Sequence, residues 1–113
     1  MILRVATLLA VVLLAACGGK GTVSADGLRA CVSKHLPHGA VDRTGVSTVE
    51  GVTTLDYVHN GAETVVTVFP SAKDAEHGLE EEARIGDAHD ERVRNVLYSG
   101  GGVVQEAVVA CLR

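Results

Sequence analysis

Asn60 and Gly61 stand between two runs rich in β-branched and aromatic residues, 48–59 and 63–69, and no other feature narrows the possible folds as much. Asn-Gly accepts the positive φ angles that both central positions of a type I′ turn require, and that turn twists in the sense antiparallel strands need. A two-residue turn fixes the register: His59 stands opposite Ala62, Tyr57 opposite Thr64 and Leu55 opposite Val66. Because side chains alternate across a strand, Leu55, Tyr57, Val66 and Val68 share one face, the expected core face. Val52, Val58, Val65 and Phe69 fall on the other. That is more apolar than an ordinary solvated face, so it is expected either to be partly covered by the chain itself or to serve as a docking surface.

Helical periodicity flanks the hairpin on both sides. Ser24 suits an N-cap, and Leu28, Cys31, Val32, His35 and Leu36 lie on one face before Pro37 ends the helix. Residues 39–47 read as loop. After the hairpin, Pro70 and Ser71 stop the strand, and Ser71 with Asp74 three residues on forms the carboxylate variant of a capping signature. Ala72, Ala75, Leu79 and Ala83 make a thin apolar stripe ending near Gly86, with Glu80, Glu81 and Glu82 on the solvent side. Residues 87–91 read as a polar loop, 93–98 as a third strand and 99–102 as a serine and glycine connector. Val104, Ala107, Val108 and Cys111 share a final helical face. The expected order is α-β-β-α-β-α, an α+β domain over residues 24–113. Its hairpin and a right-handed β-α-β crossover would give a three-stranded mixed sheet with the helices on one face.

The first residues have a different character. Arg4 is the only charge ahead of an apolar run at 5–14 that only Thr7 interrupts. A hydrocarbon layer of about 30 Å takes roughly 20 apolar residues to cross as a helix, so this run is too short to span it. Leu14, Ala15, Ala16 and Cys17, followed by Gly18 and Gly19, resemble the lipobox of bacterial lipoproteins. The resemblance implies diacylglycerol transfer to the Cys17 thiol, cleavage before it and often acylation of the new amino terminus. Residues 1–16 would be a lipoprotein signal peptide and 17–23 the lipidated cysteine with a short tether. The product would sit on the extracytoplasmic face of the cell membrane, held by two or more acyl chains because one gives only marginal binding.

Loss of residues 1–16 removes only Arg4 among the charged groups and leaves 97 residues, enough for one domain, with nine basic and 14 acidic side chains. A net charge of −5 with histidines neutral argues against nucleic acid and against electrostatic attachment to anionic lipid, so the membrane is reached through the lipid anchor. Tyr57, Phe69 and Tyr98 are the only aromatics, which disfavours a carbohydrate-stacking platform. A core of Val, Leu and Ala buries less area per residue and leaves a small domain marginally stable. With Cys17 lipidated, Cys31 and Cys111 remain, and an exported chain is expected to join them. Closing so long a loop is worth up to roughly 4–5 kcal/mol in the chain-entropy model. The alternatives are two buried free thiols or metal ligands, although no Cys-x-x-Cys pair signals zinc or redox chemistry. The domain is also loosely similar to small uncharacterised exported proteins of high-GC Gram-positive bacteria, in which a cysteine-bearing first helix and a final Cys-Leu recur. That similarity implies no activity.

Chemistry-bearing clusters are sparse. Pro37 separates His35 from His38, so their imidazoles need not share a face. His89 between Asp87 and Asp90, with Glu91 next, is a candidate divalent-metal loop whose simpler reading is a solvated acidic loop. Ser99 and Gly100 to Gly102 lie where backbone amides could hold an anion, but GxGxxG and a Walker lysine are both missing. No serine or histidine sits in a recognisable nucleophile signature. No cofactor and no catalytic residue is expected. The reading is a membrane-anchored, non-enzymatic interaction module whose partner could be another envelope protein. A small-ligand or metal-binding lipoprotein and, less favoured, a hydrolase are the alternatives.

Overall fold

Short turns that tolerate positive φ, more than long strands, build the sheet. The computed structural model describes residues 21–45, 48–86 and 90–113. Among them the strands are β1 (Val41–Asp42), β2 (Thr48–Val49), β3 (Val52–His59), β4 (Ala62–Val68), β5 (Glu91–Val93) and β6 (Val96–Ser99). The helices are α1 (Ala25–His35), α2 (Ala72–Arg84) and α3 (Gly102–Leu112). Asn60 and Gly61 take φ of 53° and 78°, and β3 pairs with β4 in the register the turn dictates, from His59 with Ala62 to Thr53 with Val68.

The expected three-stranded mixed sheet is incorrect: the sheet has six strands, and every pairing is antiparallel. Its order is β1-β3-β4-β6-β5, with β2 also on the free edge of β3. Two of the three additional strands come from tight turns inside segments that read as continuous. Glu50 and Gly51, at φ 53° and 79°, split residues 48–59 into β2 and β3. Arg94, at φ 58°, lets the chain reverse through Arg94 and Asn95, so residues 93–98 are two strands. The third is β1, in the expected loop, where Val41 and Asp42 pair with Val58 and Tyr57.

The second reversal also explains the antiparallel pairing. A lone strand after α2 would lie parallel beside β4. Here β6, the returning arm of the β5–β6 hairpin, takes that place, and β5 is pushed to the outer edge.

The helices lie on both faces, which corrects the expectation that they share one. Leu55, Tyr57, Val66 and Val68 are buried, as are Val96 and Tyr98, and they pack against Leu28 and Val32 of α1 and Val104, Ala107, Val108 and Leu112 of α3. Leu97 points the opposite way from its neighbours yet is also buried, because α2 runs over β5 and β6 on the outer face. Gly78 makes that approach possible. A Cβ on it would stand 2.9 Å from Cζ of Phe69 and 3.5 Å from Cδ1 of Leu97. The α2 stripe is thin, with Ala75 buried, Leu79 half-buried and Ala83 exposed; Glu80 and Glu81 face solvent, but Glu82 is half-buried.

Both expected caps form. The Ser24 hydroxyl accepts from the amide of Gly27, and the Ser71 hydroxyl from that of Asp74. Cys31 and Cys111 are joined in a disulfide that ties α1 to the last turn of α3, with Cα atoms 5.9 Å apart. Gly100 is no loose connector. At φ 111° it passes so close to β4 that a Cβ would stand 2.7 Å from the carbonyl oxygen of Glu63.

The segment before α1 is also fastened. Asn95, almost fully buried, accepts from the amide of Val23 and donates to the carbonyls of Val23 and Phe69, at 2.7–3.0 Å. Arg94 Nε donates to the carbonyl of Gly21 at 3.0 Å.

Candidate functional site

The outer face of the sheet is the candidate surface, and strand pairing lets it be read in rows. Val49 and Val52 stand opposite each other near Phe69, which lies just beyond the end of β4. Thr54, Thr67 and Leu97 form the next row, then Asp56, Val65 and Ser99, then Val41, Val58 and Glu63. All four residues expected to make a docking face, Val52, Val58, Val65 and Phe69, are half-buried. They do not form one patch, because the threonine row divides Val52 and Phe69 from Val58 and Val65.

Each half has its own surroundings. Phe69 and Val52 lie beside α2 and line a shallow cavity of about 300 Å³ with Glu50, Pro70, Asp74 and His77. Val58 stands beside Val41, which is 54% exposed, and Val65 lies diagonally across from Val58, paired with Ser99 at the end of β6. Val49, at the far corner of the same face, is 69% exposed. Neither Val41 nor Val49 was among the expected surface residues, because β1 read as loop and β2 as the start of a longer strand.

Charges frame the Val58 region. Glu63 sits diagonally across the strand pair from Asp56, whose side-chain hydrogen bond and then its charge push the Glu63 carboxyl up, while Arg43 draws it back. On the core side of the same edge, Asp42 accepts from Nε of Arg29 at 2.7 Å and from the amide of Thr44 at 2.8 Å. Burial opposes its ionisation, but the contacts from Arg29 and Thr44 outweigh that and hold the Asp42 carboxyl below its ordinary value. Tyr57, paired across the strands with Asp42, is fully buried, and its hydroxyl has no hydrogen-bond partner among the described residues. Desolvation, reinforced by the charge of Asp42, pushes the phenol up to about 12.

Other expected features lie apart from this surface. Asp87 and His89 of the metal-loop candidate lie outside the described residues, and Asp90 is half-buried. Cys17 also lies outside them. Among the described residues no helix is long and apolar enough to cross a membrane. The one cluster of three metal-ligating side chains among them is Cys31, Cys111 and His35, at the disulfide. His35 stands four residues after Cys31, so the two share a helix face. No known family, curated protein or solved structure matches this chain.

Proposed function

We propose that the chain is the precursor of a membrane-anchored envelope lipoprotein, lipidated at Cys17, whose domain is a non-enzymatic module that binds another envelope protein through the open part of its outer sheet face. The observation that carries the binding part is the uneven cover of that face. The α2 helix shields β5 and part of β6, while Val41 stays exposed with Val58 and Val65 half-exposed near it, and Val49 stays exposed at the far corner of the same face. Exposed valines on strands at a sheet edge invite a partner. The lipobox residues support the anchor, and the Cys31–Cys111 disulfide suits the oxidising compartment that export would supply.

The fastened segment at residues 21–23 adds a geometric consequence to this reading. With Gly21 held by Arg94 and Val23 by Asn95, Cys17 stands four residues before a fastened position, at most about 14 Å away.

A photo-crosslinking residue at Val58, with a control at the exposed Glu106 on α3, tests the binding part in the native membrane. A discrete adduct with one envelope protein at position 58 and not at 106 is expected. No adduct at 58, or equal adducts at both, contradicts it.

A further inference from the structure

The disulfide corner holds more than a staple. Ligating atoms of Cys31, Cys111 and His35 all lie within 4.8 Å of one another. Two helices supply them: α1 gives Cys31 and, one turn on, His35, and α3 gives Cys111. Around a tetrahedral zinc ion, with Zn–S near 2.3 Å and Zn–N near 2.0 Å, neighbouring ligand atoms stand roughly 3.5–3.8 Å apart. The cluster needs only small side-chain rotations to meet that geometry once the sulfurs are no longer bonded. The two cysteines are half-buried and His35 is exposed, so one side of the site is open to an entering ion and to a water ligand.

We propose that reduction of the Cys31–Cys111 disulfide opens a site for one thiophilic divalent cation such as zinc, with both thiolates and the His35 imidazole as protein ligands and water as the fourth. The disulfide and the metal are then alternative occupants of the same corner, each tying α1 to α3. The chemistry balances with a dithiol reductant. It delivers two electrons and two protons to the sulfur–sulfur bond, closes to its own disulfide and leaves two protein thiols. Binding the cation releases two protons as the thiols become thiolates. This site uses none of the residues of the outer sheet face and does not depend on lipidation.

The test uses cobalt(II) chloride, added without oxygen to protein reduced by a phosphine and then desalted. The reduced chain is expected to take up one cobalt per molecule, with the visible d–d bands of tetrahedral cobalt and a thiolate-to-cobalt charge-transfer band, and the oxidised chain none. Cys111→Ser should abolish those bands. His35→Ala keeps the disulfide and the fold in its oxidised form, checked by circular dichroism, and after reduction should bind at least about tenfold more weakly. Equal binding by the oxidised chain, unchanged affinity in reduced His35→Ala, or no tetrahedral cobalt spectrum in the reduced chain, unfolded or not, would overturn the proposal.

Discussion

Two buried polar groups, Asn95 in the β5–β6 turn and the Tyr57 hydroxyl on β3, behave in opposite ways, and single substitutions separate them. Asn95, almost fully buried, satisfies three backbone groups. Asn95→Ala leaves those groups unpaired and should cost about 1–3 kcal/mol in urea unfolding. Asn95→Asp should do no better, because it lacks the two N–H donors that hold the carbonyls of Val23 and Phe69. The Tyr57 hydroxyl has no comparable partner. Tyr57→Phe should therefore fall within about 1 kcal/mol of the parent at pH 7, or above it. The same residue has a pH signature. Its folded value of about 12 lies above the unfolded value near 10, so the folded state keeps its proton where the unfolded state has lost it. Stability from Tyr57 is complete below about pH 10 and is lost as pH rises toward 12. Tyr57→Phe removes that part of the alkaline decline. Tyr98, raised first by burial and then by the Glu91 contact, retains its own.

At the scale of elements, the molecule depends on backbone conformations that only some residues adopt cheaply. Gly100→Ala puts a Cβ against the backbone of β4 at a φ that L-residues resist, and should destabilise the domain by at least about 1–3 kcal/mol by thermal melting. A substitution with no measurable effect would mean that the β6–α3 junction is not packed against β4. Turn chemistry also decides how much could be read in advance. Asn60-Gly61 has the composition that a type I′ turn demands, so the central hairpin, its register and its core face were legible, as were the capping hydroxyls of Ser24 and Ser71. Glu50-Gly51 has only half that signature inside a β-rich run, and Arg94-Asn95 has a bulky residue at positive φ, which side-chain pattern alone does not announce. Those two turns hid two strands, and with them the antiparallel place of β6. The cover of the outer face by α2 was hidden for a related reason. The glycine that lets α2 approach contributes nothing to an apolar stripe, and the expected β-α-β crossover put all the helices on one face. The docking residues were legible as a face, and the hairpin register already sets Thr54 opposite Thr67 between its two halves; Val41 and Val49, which extend those halves, were hidden with β1 and β2.

For the whole molecule, the covalent frame and the small core must be considered together. The core facing α1 and α3 has two tyrosines as its only aromatic residues. A disulfide bridging 80 residues should therefore carry a large share of the stability. The double substitution Cys31→Ala and Cys111→Ala should lower it by about 2–4 kcal/mol, with the loss greatest where α1 meets α3. Hydrogen exchange should show those two helices opening first, while the amides of β3 and β4 stay protected. The proposed lipoprotein adds to that staple a lipid anchor at Cys17. Intact mass of the protein purified from its native membrane, with alkylation before and after reduction, tests that claim most directly. The predicted result is a chain that begins at an acylated Cys17 and gains two alkyl groups only after reduction. An unlipidated chain retaining residues 1–16, or two thiols that alkylate without reduction, would contradict it.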